Sequence, residues 1–395
     1  YYALAKIMRV YIMQIIATMQ GPLPYTKVES GQYSVGYDNE ETAWKAMMDD
    51  LDYSIGVLTA LMNTDPSFNE LTTEDRIYQG DYKKWIKFAN SLKLRIAIRI
   101  SNAVPEYAQE KAEEAVSHPY GVMDSNDCDA YDNITATNYK NGLASVNSWG
   151  EVRANACIVS FMNGYQDPRC EAYFTKSSVS GDYDYIGVRS GIQGITTSMF
   201  STYSTVKVET KTPMLIFNAA EVAFLRAEGA LKKWNMGGTA EEFYKEGIRL
   251  SFNEHGISGA DAYIANNTNV PADYICPLNA AYNYTNPCKL TVAWDKTGAN
   301  ADEDNLQRIL TQKMIANFPI GNETWADFRR TGYPAVFPAH DNLSTQGVTK
   351  ERQQRRLRFS EDEYNSNGAN VTEACTFLSN GQDTDATDLW WAKKD

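Results

Sequence analysis

Apolar side chains recur every three to four residues over long parts of this chain, a spacing typical of amphipathic helices. The first such segment covers residues 1–20, and Gly21 with the prolines after it predicts its end. Three further helices are predicted: one over residues 41–62, one beginning after the N-cap candidate Asp81, and one from Pro105 to about residue 118.

The middle of the chain has a different pattern. Over residues 119–215, Gly, Ser, Thr, Asn, Asp and Tyr alternate, and only the segment 151–165 has clear helical spacing. We therefore predict loops and short strands around that single helix. A second long loop is predicted for residues 257–302, where Pro and Asn are frequent.

Helical spacing returns in the last part of the chain. Helices are predicted over residues 216–234 and 239–256, and the Gly-rich turn between them predicts an antiparallel hairpin. Another helix is predicted over 303–318 and a short one near 348–357. Strands and helices do not alternate as in βαβ folds, so the pattern predicts a mainly α array of helix hairpins with large irregular loops.

The stretch from residue 323 to 334 combines charge with a helix-ending signal; its sequence is ETWADFRRTGYP. Gly332 is placed as a helix C′ residue, and Asp327 can reach Arg330 one turn away. We interpret Arg329 and Arg330 as clamps between packed helices, because the planar guanidinium suits fixed pairing with carboxylates. A ligand-binding role for these arginines is the alternative.

Composition narrows the possible functions. The 395 residues carry a net charge of −13, and an acidic surface repels phosphate backbones, so nucleic-acid binding is set aside. The 25 tyrosines are in excess, and their flat apolar rings with a polar tip suit ligand grooves as well as core edges.

The sequence has no uninterrupted run of 18 apolar residues, so it predicts no transmembrane helix. The chain opens inside a helical pattern, so we expect an N-terminal part to precede it.

The cysteines provide one candidate bridge. Cys276 and Cys288 bracket a loop rich in Pro and Asn, and a disulfide would close that loop outside the cytoplasm. Cys157 lies in an apolar run and is expected to be a buried free thiol. No CxxC pair supports a zinc site.

Motifs that carry chemistry are nearly absent. The sequence has no HExxH, no phosphate-binding loop and no GxSxG, and its three histidines are His118, His255 and His340. The acidic segment 124–132 has the carboxylate density of a calcium loop but lacks the glycine and the final glutamate of an EF-hand, so calcium binding stays open. No metal or cofactor is predicted.

Several motifs in order along the chain resemble one known family. They include the stretch from residue 306 to 334, whose sequence is LQRILTQKMIANFPIGNETWADFRRTGYP, and the stretch from 75 to 101, DRIYQGDYKKWIKFANSLKLRIAIRIS. The closing stretch from 355, RRLRFSEDEYNSNGAN, also fits. Together they are similar to the SusD/RagB family of outer-membrane nutrient-binding lipoproteins.

The resemblance implies a single α domain, residues 1–395 here, without its N-terminal part. Its TPR-like helix pairs would form a superhelical scaffold mainly within 1–118 and 216–335, with few short strands. The ligand-facing loops would be the insertions 119–215 and 257–302. The family carries a lipidated cysteine before this region, so the only membrane attachment implied is an N-terminal lipid anchor, and none of the six cysteines is that site.

The function that the resemblance implies is binding of an oligosaccharide or polysaccharide at the outer face of the outer membrane, without catalysis. The glycan would pass to a SusC-like TonB-dependent transporter. One alternative keeps the fold but binds peptides or another nutrient, and another is a glycoside hydrolase with an unrecognised carboxylate pair.

The family's matched motifs belong to the scaffold, so the ligand site must be sought in the loops. Sugar rings present C–H faces that stack on aromatic side chains, while their hydroxyls take hydrogen bonds. The candidates are loop aromatics among Asn and Asp: Tyr131, Tyr139, Trp149, Tyr183, Tyr185, Tyr282, Tyr284 and Trp294. For each one alone, a packing role is the alternative.

Overall fold

The computed structural model describes residues 1–28, 31–179 and 181–392. Helices account for most of its regular structure. In chain order they are α1 (Tyr2–Gln20), α2 (Glu40–Thr64), α3 (Tyr82–Ile100), α4 (Pro105–Ser117), α5 (Gly142–Ser148), α6 (Ala156–Tyr165), α7 (Cys170–Tyr173), α8 (Ala219–Leu231), α9 (Ala240–Glu254), α10 (Ala260–Ile264), α11 (Ala301–Ala316), α12 (Gly321–Thr331) and α13 (Glu361–Cys375). Strands β1 (Ala130–Asp132) and β2 (Met214–Phe217) form an antiparallel pair.

The long helices pack in consecutive pairs. Helix α1 packs on α2, α3 on α4, α8 on α9, and α11 on α12. The pairs also contact one another, since α3 meets α2 and α8, and α11 packs on α8. The predicted mainly α array of helix hairpins is confirmed.

Side-chain caps set several helix starts as the sequence predicts. The carboxylate of Asp81 accepts hydrogen bonds from the backbone N–H groups of Lys83 and Lys84, each at 3.1 Å, and starts α3. At α9, Thr239 and Glu242 form a reciprocal capping box. At the end of α12, Gly332 has a φ of 88°, the left-handed conformation expected of a C′ glycine.

Helix α1 is long and apolar enough to cross a membrane by length and composition, a test that core helices also pass. In this structure it packs against α2, α3 and α12, and it buries Leu4, Ile7, Val10 and Ala17.

Buried ion pairs join the helix pairs in the interior. Arg330 makes a two-point contact with Glu228, with nitrogen–oxygen distances of 2.5 and 2.7 Å, and also reaches Asp327 at 3.2 Å. Because Glu228 belongs to α8 and Arg330 to α12, this contact ties two pairs together. Lys313 of α11 donates to Asp327 at 2.9 Å. The structural interpretation of Arg330 is confirmed.

A second part of this ion-pair lattice involves α3. Arg95 contacts Glu221 of α8 at 2.8 and 2.9 Å, and Arg99 contacts Glu323 of α12 at 2.5 Å. Burial alone would raise the pKa of Glu323, but the charges of Arg99, Arg95 and Lys313 outweigh it and lower the pKa to about 2. Glu323 is therefore ionised over the physiological pH range.

Arg329 has a different set of partners and the same role. Its guanidinium stacks over Trp325, with 3.6 Å between the guanidinium carbon and the ring centroid. It donates to the carbonyl of Thr18 at 2.7 Å and to that of Arg355 at 2.9 Å. Arg329 thus joins α12 to α1, as a clamp between helices would, but the predicted pairing with a carboxylate is wrong for this residue, because its described partners are backbone carbonyls and the Trp325 ring.

One predicted helix was wrong. Residues 348–357 contain a turn and irregular backbone instead of a helix, because the N–H groups of Arg355 and Leu357 donate to the carbonyls of Asp385 and Met19. The helix lies later, at α13, where Ser360 accepts from the N–H of Glu363. The acidic residues in the first turn of α13 favour a helix start, and they could have indicated this helix from the sequence.

The predicted disulfide is wrong. Cys276 and Cys288 are both free and buried. The thiol of Cys276 lies 3.5 Å from the hydroxyl of Tyr203, while the backbone N–H of Cys288 donates to Asn286 at 3.0 Å. Each thiol therefore sits in its own packed surroundings, and the loop between them is held by other contacts. Cys157 is a buried free thiol, as predicted.

Candidate functional site

A short extended segment, residues 186–188, organises the loop-rich side of the molecule. Its backbone is bound on both sides: the N–H of Val188 donates to Ala154 and the N–H of Ala156 donates to Val188, at 2.8 and 3.0 Å. On the other side the N–H of Ser204 donates to Ile186 at 3.0 Å. This segment is therefore a fixed platform for the side chains that flank it.

Gly187 allows these close contacts. A Cβ atom there would lie 2.7 Å from the backbone of Asn155 and Ala156, a distance that real Cβ atoms do not show. The hydroxyl of Tyr274 also donates to the carbonyl of Gly187 at 2.9 Å. Only glycine permits the platform to approach the start of α6 this closely.

The first loop cavity lies on one side of the platform, between residues 181–187 and 272–277, with a volume of about 210 Å³. Tyr183 and Tyr185 line it together with Asp182. The two hydroxyls and the Asp182 carboxylate make no hydrogen bond with any residue that the structure describes. These groups are free to bind a ligand.

The second loop cavity lies on the other side of the platform and has a volume of about 420 Å³. Glu151, Arg153 and Thr197 line it. The Glu151 carboxylate and the Thr197 hydroxyl have no partner within the described ranges, and Arg153 directs only Nε and Nη1 to backbone carbonyls. Trp149, next to the lining residue Gly150, is 67% exposed. We call the two cavities and Trp149 the loop face.

An arginine, Arg189, lines the second loop cavity and braces its wall. Arg189 is 9% exposed and lies over the ring of Tyr284, 4.6 Å from its centroid. Burial lowers the pKa of this guanidinium, and no described carboxylate forms an ion pair with it. Tyr284 packs against Phe337 at 4.7 Å, and Tyr282 meets the ring of His340 edge-on at 5.1 Å. Tyr282 and Tyr284 thus support the wall.

The remaining predicted aromatics lie elsewhere. Tyr131 is in β1, where its hydroxyl donates to Glu254. Tyr139 is 62% exposed and takes the guanidinium of Arg76 on its ring at 5.3 Å. Trp294 packs on the buried ring of Tyr244, with 5.3 Å between centroids. None of the three aromatics lines either loop cavity.

Sequence reasoning missed the polar half of the loop face. We predicted a helix from residue 151, whereas α6 begins at Ala156 and leaves Glu151 and Arg153 in extended backbone beside the cavity. The signal was Asn155, whose side chain accepts from the N–H of Cys157 at 2.8 Å as an N-cap. If Asn155 had been interpreted as the N-cap, the residues before it would have been predicted to precede the helix.

The acidic segment 124–132 is occupied by protein cations. Lys87 contacts Asp124 at 2.6 Å, and Lys84 contacts Asp127 at 3.0 Å. Within the described ranges, no three His, Cys, Asp or Glu side chains are grouped as metal ligands. The two lysines belong to α3, while Asp132 pairs with Arg76 before that helix and Asp129 accepts from the backbone N–H of Ala219.

The known proteins that this chain resembles all belong to one family. A sequence profile described as SusD-like, the SusD and RagB outer membrane lipoproteins, matches residues 1–392. No curated protein matches. A SusD-like protein from Bacteroides thetaiotaomicron is 49% identical with a TM-score of 0.95, over 100% of this chain and 81% of that one. A chitin-binding SusD homologue from Flavobacterium johnsoniae is 38% identical with a TM-score of 0.94, at the same coverage.

A SusD homologue from Bacteroides uniformis is 41% identical with a TM-score of 0.90, again over 100% of this chain and 81% of that one. The similarity therefore extends over the whole chain, through both the helix pairs and the loops between them. The chain belongs to the SusD/RagB family of outer membrane lipoproteins.

Proposed function

We propose that this protein binds a glycan at the loop face without cleaving it and delivers it to a SusC-like TonB-dependent transporter in the outer membrane. Family membership and the chitin-binding relative support a glycan as the ligand. The observation that carries the proposal is the exposed Trp149 beside a cavity with unpaired polar groups.

The loop face has the two components that sugar recognition needs. Trp149 offers an open aromatic face on which the C–H side of a sugar ring can stack. Glu151, Thr197 and the free Nη2 of Arg153 can accept and donate hydrogen bonds to ring hydroxyls. Trp149 lies at the end of α5 and Arg153 is anchored to the carbonyls of Gly150, Val152 and Phe200, so binding requires little ordering of this segment.

The same groups are poorly arranged for hydrolysis. A glycoside hydrolase places two carboxyl groups on either side of one glycosidic bond, about 5 to 10 Å apart. The exposed carboxylates Glu151 and Asp182 line different cavities, and Asp273, which shares the first cavity with Asp182, is already paired with Lys289 at 3.1 Å. A binding role fits this arrangement better than catalysis.

Delivery requires an outward-facing position beside the transporter. The family consists of outer membrane lipoproteins, which supports a lipid-anchored position at the outer membrane. Purifying the full-length protein from membranes in mild detergent tests the partnership. Recovery of a TonB-dependent transporter in stoichiometric amount is the expected result, and recovery of the lipoprotein alone would contradict it.

Calorimetric titration tests glycan binding. N-acetylglucosamine oligomers are the first probes, since the 38% identical relative is described as chitin-binding. Other oligosaccharides and a set of short peptides follow. Heat with an oligosaccharide and none with peptides is expected, and the reverse pattern would favour the peptide-binding alternative.

Two matched variants locate the site. Trp149→Ala removes the stacking face and should weaken oligosaccharide binding about tenfold, or about 1.4 kcal/mol. Tyr139→Ala is the control, because this aromatic is similarly exposed but carries the guanidinium of Arg76 and has no sequence neighbour in the lining of either loop cavity. Equal affinity of both variants and the unmodified protein for the oligosaccharide would show that the glycan does not bind at the loop face.

A further inference from the structure

The second loop cavity contains two arginines without an anionic partner. Arg153 and Arg189 both line it, and neither guanidinium forms an ion pair with any described carboxylate. In the scaffold, by contrast, the buried guanidinium of Arg95 is matched by Glu221. An anion that enters this cavity would therefore meet two positive charges that no described carboxylate has paired.

Backbone pairing brings the two arginines to the same cavity. Asn155 and Val188 form a parallel bridge between two segments of the platform. Arg153 precedes this bridge on one segment, and Arg189 follows it on the other. Because the bridge fixes both segments, the two charges are in place before a ligand arrives, and binding does not require the backbone to bring them together.

Arg153 keeps one nitrogen available to a ligand. Its Nε donates to the carbonyl of Phe200 at 2.6 Å, and its Nη1 donates to those of Gly150 and Val152 at 2.8 and 2.7 Å. Its Nη2 has no partner among the described residues and keeps contact with solvent. The carbonyl contacts fix the guanidinium plane, so Nη2 is a positioned donor. Such a donor binds an anionic oxygen more strongly than a neutral hydroxyl.

Arg189 supplies positive charge from within the cavity wall. It is 9% exposed, and its Nη atoms reach the carbonyls of Tyr282, Asn283 and Pro338 only at 3.3 to 3.5 Å. Burial lowers the pKa of this guanidinium, which means that its surroundings stabilise the charge poorly. A negative group in the cavity would compensate this charge, and the attraction is strong because water screens a buried charge little.

Two carboxylates oppose an anion at this position, but only weakly. Glu151 lines the cavity as an exposed side chain, so water screens its charge. Asp341 acts on Arg189 without forming an ion pair with it and contacts the ring of His340 at 2.9 Å. The buried guanidinium and the positioned donor of Arg153 therefore outweigh the exposed carboxylate, and the cavity favours an anionic group.

We propose that the second loop cavity binds an anionic substituent of the glycan, either the carboxylate of a uronic acid or a sulfate ester, with Arg153 as the contact and Arg189 as the charge behind it. This inference rests on the proposed function and names the class of glycan, a chain with acidic units. A sugar of the same chain would stack on Trp149, beside the cavity. A wholly neutral chain would still stack there but would bind more weakly.

Backbone-matched oligosaccharides test this preference by calorimetry. N-acetylglucosamine oligomers are compared with their O-sulfated form, which tests a sulfate. Oligomers that alternate glucuronic acid with N-acetylglucosamine are compared with the same oligomers after reduction of their carboxyl groups, which tests a carboxylate. At least one anionic form should bind about tenfold more tightly than its neutral match, because a charge-assisted hydrogen bond is about twice as strong as a neutral one. Added salt should reduce this ratio.

Variants on one loop should change the ratio of anionic to neutral affinity in opposite directions. Arg153→Gln should bring the ratio close to one, whereas Arg153→Lys, which keeps the charge, should retain part of it. Glu151→Gln removes the opposing charge at an exposed position and should raise the ratio about twofold to threefold. Trp149→Ala should weaken both forms alike and leave the ratio unchanged. Thermal unfolding of each variant checks that it is folded.

The outcomes separate this inference from the proposed function. Ratios near one for both ligand pairs, or a ratio that Arg153→Gln leaves unchanged, would overturn the inference while the proposed function stands. If Arg153→Gln does not fold, Glu151→Gln decides, and a ratio that does not rise in this variant would overturn the inference. Absence of binding by every oligosaccharide would contradict the proposed function and the inference with it.

Discussion

The scaffold interior and the loop face use the same kinds of side chain in opposite ways. In the scaffold, Arg330 and Arg95 are buried and each makes a two-point contact with a glutamate of another helix. At the loop face, Arg153 keeps a nitrogen free and Glu151 has no described cationic partner. Charge in the first region fixes the helices, and charge in the second is available to a ligand.

This difference separates structural from binding residues more reliably than residue type. Trp325 and Trp149 are the same residue type, yet Trp325 is covered by the guanidinium of Arg329, whereas Trp149 is open. A stacking residue must keep one face free for a ring to reach it. The predictions below test this separation in order of expected effect.

Breaking the scaffold lattice should have the largest effect. Arg330→Met leaves Glu228 and Asp327 buried with reduced compensation, so we expect a loss of about 3 to 5 kcal/mol in the free energy of unfolding. Denaturant unfolding measures it. Lys211→Met, which removes an exposed cation, is the control, and an equal loss in both variants would contradict the scaffold role.

Trp294 should behave as a packing residue. Trp294→Ala removes the contact with Tyr244 from a partly buried position, and we expect a loss of about 2 kcal/mol in stability with unchanged glycan affinity. Thermal unfolding and calorimetry of the same sample measure both quantities. A weakened glycan affinity at unchanged stability would instead show that Trp294 contributes to the binding site.

Glu254 should make stability depend on pH. Its folded pKa is raised from 4.5 to about 8, so its favourable contribution is complete below pH 4.5 and is lost as pH rises to 8. The groups facing it are Asp129, Tyr131, Asn218 and Arg169. Glu254→Gln keeps a neutral side chain, and it should remove a slope of up to about 1.4 kcal/mol per pH unit in this range. Identical pH profiles of unfolding for both proteins would contradict the raised pKa.

The smallest effect is expected for the stability of Trp149→Ala. Because this side chain is 67% exposed, its removal should change the free energy of unfolding by less than about 0.5 kcal/mol. Chemical denaturation checks this alongside the affinity measurement. A loss as large as that of Trp294→Ala would mean that Trp149 supports the fold instead of the ligand.

The scaffold was predictable because its signals are local. Asp81 caps α3, Gly332 ends α12, and the apolar spacing of α1 marks its buried face within a few residues. The clamp role of Arg329 and Arg330 followed from their place at a helix end, although the sequence could not show that Glu228 would be the partner of Arg330.

The loop face was only partly predictable because distant segments build it. Trp149 and Tyr183 were predicted as candidates from their loop setting, but the surroundings of the two cavities depend on the platform, where residues 154–156, 186–188 and Ser204 meet. Nothing local in the sequence indicates those backbone contacts. Tyr131 and Trp294 share the composition of their loop neighbours, and nothing local in the sequence indicates their long-range contacts with Glu254 and Tyr244.

Hydrogen–deuterium exchange with and without a saturating N-acetylglucosamine oligomer, or whichever glycan titrates, tests the central claim most directly. The account predicts slower exchange at residues 149–155 and 181–200, which carry the loop face, and no change across α12, where the charged side chains are already paired. Protection centred on α12 with none at the loop face would contradict it.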